Sequence, residues 1–131
     1  MKYIYPAIFH VAEEGGYWVD FPDLEGCFTE GDTFIEAYKM AEEAMSEYII
    51  SCENDKVELK EASNIESIDT EEGDIINLIS ADTVKYRKEI SDKTVKKTLT
   101  IPAWLNEMAL NKNLNFSKIL QKALKIELEV E

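Results

Sequence analysis

The amino-acid sequence predicts an α+β chain in two units, a β-β-β-α-β body over residues 1–84 and a β-α-α unit over residues 95–131, joined by a connector at 85–94. Three observations lead to this. Residues 1–92 hold 7 Lys and Arg against 23 Asp and Glu, a net of −16, whereas residues 93–131 hold 7 against 4, a net of +3. An acidic body repels nucleic acid while a mildly basic tail can approach phosphates, so the two halves are expected to meet different partners. Residues 3–30 show the two-residue hydrophobic period of strands broken by glycine-bearing turns, and Lys96-Lys97-Thr98-Leu99-Thr100-Ile101-Pro102 is an alternating run followed by two short helical patterns.

The body begins with a strand, in which Tyr3, Tyr5, Ala7, Phe9 and Val11 alternate with Ile4, Pro6, Ile8 and His10. Gly15-Gly16 supplies the positive backbone angles of a hairpin turn, and Tyr17-Trp18-Val19-Asp20-Phe21 returns as the second strand. Pro22-Asp23-Leu24-Glu25-Gly26 marks another turn, after which Cys27-Phe28-Thr29-Glu30 forms a third. Thr33-Phe34-Ile35-Glu36 matches the capping box that opens a helix. Phe34, Ala37, Tyr38, Ala41, Ala44, Met45, Tyr48 and Ile49 then recur at helical spacing, and the three alanines let that stripe lie close to the sheet. Residues 53–74, rich in Glu, Asp, Asn and Ser, read as a loop or a weak extended segment, and Asp74-Ile75-Ile76-Asn77-Leu78-Ile79 reads as a fourth strand ahead of the charged connector.

Composition limits the chemistry. Cys27 and Cys52 lie too far apart for a CxxC pair, and only His10 adds a soft ligand, so packed thiols in a reducing cytosol are expected and no metal or cofactor. The first residues lack a signal-peptide stretch and no run reaches membrane-spanning length, which predicts a cytoplasmic protein without membrane contact. Asp20, Asp23 and Asp32 could be imagined as the carboxylates of a two-metal nuclease. Their placement argues against it: Asp20 shares a face with Trp18, Asp23 lies in a turn and Asp32 flanks a helix cap. His10 is expected as a surface strand residue, and the chain as no enzyme.

In the tail, Lys96, Thr98 and Thr100 point one way and Leu99 and Ile101 the other, and Pro102 ends the strand where a helix can begin. Such a strand cannot satisfy its own backbone, and a unit of about 35 residues is below the size that usually folds alone, so a second copy must complete it. The pattern resembles ribbon-helix-helix DNA-binding proteins, in which two strands from two subunits enter the major groove. That resemblance makes Lys96, Thr98 and Thr100 the base-reading set. Asn115-Phe116-Ser117-Lys118 opens the second helix, where Asn115 or Ser117 caps it and the free amides could clamp a DNA phosphate. Trp104 is expected to pack at the edge of the dimer or against the connector.

The run Glu14-Gly15-Gly16-Tyr17-Trp18-Val19-Asp20-Phe21-Pro22-Asp23-Leu24-Glu25-Gly26-Cys27-Phe28-Thr29-Glu30-Gly31-Asp32-Thr33, followed by Glu36-Ala37 and Ala41-Glu42-Glu43-Ala44, resembles the signature of HicB antitoxins. The resemblance implies a degraded RNase H-like body and a partner, the small basic HicA toxin, an mRNA-cleaving ribonuclease with a catalytic histidine. It further implies operator DNA as the target of the tail, with autorepression of the operon. Acidic turns and strands suit a basic RNA-binding partner, so Asp20, Asp23, Glu25, Glu30 and Asp32 are candidate toxin contacts, with Trp18 and Phe28 as buried anchors. Two competing readings are a stand-alone repressor whose body senses a small molecule, and a metal-dependent nuclease.

Overall fold

The computed structural model describes all 131 residues, which form two compact units, Met1–Ile90 and Ser91–Glu131. In the first, β1 (Lys2–Val11), β2 (Tyr17–Asp20), β3 (Phe28–Gly31) and β4 (Ile75–Asp82) build one antiparallel sheet in the order β3-β2-β1-β4. Helix α1 (Phe34–Asp55) lies on one face of it, and α2 (Thr83–Ile90) follows β4. None of the helices is long and apolar enough to cross a membrane.

Local chemistry sets most of these elements. The β1–β2 turn is five residues long, from Ala12 to Gly16, closed by Ala12 N–H to the Gly16 carbonyl at 3.1 Å, with Gly15 and Gly16 at φ +97° and +77°. Thr33 caps α1 by accepting the Glu36 amide on its hydroxyl at 3.1 Å, and Lys56 ends the helix in the left-handed region at φ 57°. Gly31 lies so close to α1 that a Cβ there would stand 2.4 Å from the Ala37 backbone nitrogen, and fully buried Ala37 and Ala41 keep the helix at that distance. Between helix and sheet lie Phe9, Val19, Leu24, Met45, Ile49 and Ile79, each contributing on the order of 2 kcal/mol by burial. Phe34 and Tyr38 of α1 meet Phe9 at ring-centroid distances of 5.2 and 6.2 Å.

The connector expected at 85–94 is helical through Ile90 and packs on the first unit. Two of its side chains reach back to α1: Tyr86 donates to Glu47 at 3.1 Å and Arg87 to Glu53 at 3.1 Å and Asn54 at 2.9 Å. Asp82 accepts the Lys85 amide at 3.2 Å, and that bond holds its carboxyl below the usual range. Tyr3 and Thr83 also donate to Glu53, at 2.8 and 3.2 Å. Partial burial pushes Glu53 up, but the hydrogen bonds from Tyr3, Arg87 and Thr83 and the Arg87 charge outweigh it and hold the carboxyl below its ordinary 4.5. Partial burial and that acceptor push Tyr3 up to about 12.

A carboxylate depressed in the folded state contributes stability that is present above its ordinary value and lost as pH falls through its folded value. Stability to urea should therefore fall as pH drops from neutral through the folded value of this group, a loss that Glu53→Gln removes from the pH profile.

The second unit contains α3 (Ala103–Asn111) and α4 (Phe116–Leu128). Pro102 occupies the N-cap position of α3, and Asn115 caps α4 by accepting the Lys118 amide on Oδ1 at 3.0 Å. Residues 91–102 form neither helix nor strand, so the strand expected over 96–101 is absent from the single chain. A strand exists through its ladder, and one copy supplies no neighbour for it. No residue between 91 and 131 is buried.

Candidate functional site

Side chains alternate across a strand, so the odd-numbered β1 residues Tyr5, Ala7 and Phe9 pack in the core while Ile4, Pro6, Ile8 and His10 lie on the helix-free face. Pairing carries that face across the sheet. Trp18 stands opposite both His10 and Glu30, Asp20 opposite Phe28, and Leu78 opposite Pro6. Trp18, Asp20, Phe28 and Glu30 are thereby brought onto one surface, where Trp18 is 45% exposed and Phe28 71%. Ile4 and Leu78 extend the exposed apolar area, whereas Pro6 and Ile8 between them are buried. Large aromatics held open on a rigid sheet are unusual for a solitary domain and mark an interaction surface.

His10 joins this surface. Its Nε2 lies 2.5 Å from Asp20 Oδ1, its Nδ1 lies 2.9 Å from Asp74 Oδ1, and its ring stacks on Trp18 with centroids 3.7 Å apart and planes at 15°. The side chain is only 19% exposed, so His10 is not the plain surface residue expected from the sequence. The strand register holds the signal: beyond the Phe9–Ile75 pair, His10 falls beside Asp74, with Asp20 diagonal to it across β2.

The other candidate contacts separate. Asp23 is buried and bound by Ser63, whose amide donates to Oδ2 at 2.9 Å and whose hydroxyl donates to Oδ1 at 2.5 Å; it pins the 57–74 segment. The exposed toxin contact expected at Asp23 is thus replaced by an internal anchor, because the turn meets a segment 40 residues away. Glu25 is exposed in the same turn, off the sheet face. Asp32 is exposed ahead of α1 and shares a surface depression of about 1060 Å³ with Trp18, Glu30, Glu13, Glu14 and Glu36. Acid therefore rims one end of the aromatic surface. Asp20, Asp23 and Asp32 do not converge, and no three His, Cys, Asp or Glu side chains are arranged to hold a metal. Burial pushes the Cys27 thiol up to about 11, which keeps it protonated and unreactive at neutral pH.

In the second unit, Lys97, Leu99 and Ile101 line an apolar groove of about 590 Å³ with Leu105, Phe116 and Ile119. Lys96, Thr98 and Thr100 lie outside that lining and are exposed, so odd and even positions divide as an alternating strand would divide them. Phe116 and Ser117 also line the groove, whereas Asn115 and Lys118 stand at the start of α4, joined by the cap. Phe116 is 42% exposed within that lining. Trp104 is 64% exposed.

Residues 5–124 match the family model described as HicB_like antitoxin of bacterial toxin-antitoxin system. The chain belongs to this family. The match runs through both units of the HicB-like chain. It is 49% identical over 41 residues to Antitoxin HicB 1 of Photorhabdus laumondii, covering 31% of this chain and 26% of that one, so it spans about a quarter of that relative's length. In structure it is similar to a chain of a toxin-antitoxin complex from Streptococcus pneumoniae, with a TM-score of 0.62, 28% identity and coverage of 97% and 99% of the two chains. A chain of the HicA3 and HicB3 toxin-antitoxin complex aligns with a TM-score of 0.50 and 34% identity over 61% of this chain and 99% of that one. The mixed α+β architecture with its four-stranded antiparallel sheet is thus shared with these solved chains, and the family is that of HicB-like antitoxins.

Proposed function

We propose that this antitoxin masks a HicA-like mRNA-cleaving ribonuclease with its first unit and represses its own operon with its second. The observation that carries the first half is the helix-free face, with Trp18 and Phe28 exposed beside Asp20 and Glu30 and acidic residues at one end. A basic protein that binds RNA presents cations for phosphates, and a carboxylate-rimmed aromatic surface competes for that same area. Inhibition is then steric: the toxin's RNA-binding surface and its catalytic histidine are covered. The β-β-β-α-β order supports reading the body as a degraded RNase H-like fold, one that performs no chemistry of its own, since Asp20 and Asp23 are engaged by His10 and Ser63.

The second half rests on the groove. A unit with no buried residue and an apolar groove needs a partner surface, and a second copy of the same unit supplies one of matching length and chemistry. Pairing of two 96–101 segments would complete a ladder that one chain lacks and form a ribbon-helix-helix dimer with Lys96, Thr98 and Thr100 outward. Asn115 and Lys118 at the α4 start would then meet a DNA phosphate.

Co-expression with a gene for a HicA-like toxin, sought beside this one, tests the reading. Growth arrest caused by that gene is expected to be reversed, with both proteins copurifying. Persistent arrest despite soluble antitoxin contradicts it.

A further inference from the structure

The two edges of the sheet differ in how they are guarded. The β3 edge is four residues long, carries Glu30 and ends at Gly31 against α1. The β4 edge is eight residues long, and residues 75–81 hold no charge, proline or glycine in a chain that is 31% charged. Natural proteins usually blunt such an edge with Lys, Pro or a bulge, because its unpaired amides and carbonyls invite another strand. Two backbone bonds show which groups are open. Thr83 N–H donates to the Met1 carbonyl at 3.0 Å, and bonded pairs alternate along an antiparallel ladder, so Ala81, Ile79, Asn77 and Ile75 are the residues bonded to β1. Ile76, Leu78 and Ser80 therefore turn their N–H and C=O groups away from it. Ala12 N–H on the Gly16 carbonyl fixes the same phase from the other side, with even-numbered β1 residues facing β2. The Tyr38 hydroxyl agrees, donating to the outward Leu78 carbonyl at 3.3 Å.

We propose that the open β4 edge pairs antiparallel with the β4 edge of a second copy of this chain, joining two four-stranded sheets into one. A two-fold antiparallel pair uses the same edge twice, and Ile76, Leu78 and Ser80 supply its donors and acceptors. It also brings Leu78, 51% exposed on the helix-free face, against the same face of the partner strand. Charge selects a second copy over a basic protein. The depression at the β3 end is lined by Glu13, Glu14, Glu30, Asp32 and Glu36 with no base among them, which suits a cationic partner and repels a copy of the chain. Beside β4, a depression of about 370 Å³ holds Lys39 and Lys85 among Glu42, Glu43, Asp82 and Glu89, so each copy offers cations to the other's acids. Two acidic bodies still repel at long range, and the pairing uses the stretch where no charge stands between Asp74 and Asp82.

The test is amide hydrogen exchange by NMR on the full-length chain without toxin, comparing wild type, Leu78→Lys and Ser80→Pro. Lysine puts a charge on the edge, and proline in place of Ser80 removes an outward N–H while leaving the β1 ladder whole. In the wild type, the Leu78 and Ser80 amides are expected to exchange about a hundredfold slower than those of an open strand. Leu78→Lys should release the Ser80 amide and Ser80→Pro the Leu78 amide. Asn77, Ile79 and Ala81, held by β1, should stay protected in both variants and report an intact fold. A mixture of two differently isotope-labelled wild-type chains should give cross-copy NOEs within residues 76–80. Fast exchange of Leu78 and Ser80 in the wild type overturns the proposal. Protection that arises only when a HicA-like toxin is added gives the edge to the toxin and overturns it too, as do cross-copy NOEs that leave out β4. Where one variant loses the odd-numbered protection, the other variant and the mixed-label wild type decide.

Discussion

Thr98→Ala combined with Thr100→Ala is expected to abolish specific operator binding while the chain still neutralises its toxin. Each hydroxyl donates or accepts at a base edge and each methyl meets thymine, and a dimeric ribbon presents both residues twice. At about 1 kcal/mol for each of four contacts, affinity for the operator should fall about a thousandfold. Affinity for unrelated DNA should hardly change, because Lys96, Lys97 and Lys118 keep their charges and their salt dependence. Both threonines are exposed and outside the apolar groove, so dimerisation should survive, as sedimentation would show. Operator affinity equal to wild type would remove the ribbon as the reader.

The complementary change, Trp18→Ala with Phe28→Ala, is expected to abolish neutralisation while operator binding persists. Aromatic anchors at the centre of an interface commonly cost about 2 kcal/mol or more each on truncation, so the pair should weaken toxin binding about a thousandfold. The fold should tolerate the loss, since both side chains are exposed and outside the core between α1 and the sheet. Thermal unfolding close to wild type, together with growth arrest that is no longer reversed, is the expected pair of results. Rescue at wild-type level would place the docking surface elsewhere.

Legibility in the sequence followed the range of the interaction. The Thr33 cap, the positive angles at Gly15 and Gly16 and the Asn115 cap are written within a few residues, and each appears where the local pattern puts it. The face shared by Trp18, Asp20, Phe28 and Glu30 follows from strand alternation and hairpin pairing. Contacts between distant segments were hidden. Asp74 reaches His10 across 64 positions and Ser63 reaches Asp23 across 40, inside a stretch whose polar composition reads as a loop. The same limit concealed α2, which is tied to α1 through Tyr86 on Glu47 and Arg87 on Glu53 and Asn54. The tail showed the opposite case. Its alternation was plain in the sequence, yet residues 91–102 form no strand in the single chain, which offers them no ladder partner.

Masking of a ribonuclease is the centre of this account, and RNA cleavage by the purified toxin, titrated with the full-length chain, measures it most directly. Cleavage is predicted to fall in proportion to added antitoxin and to reach background once the toxin is saturated; unchanged cleavage under an excess of well-folded antitoxin would contradict it.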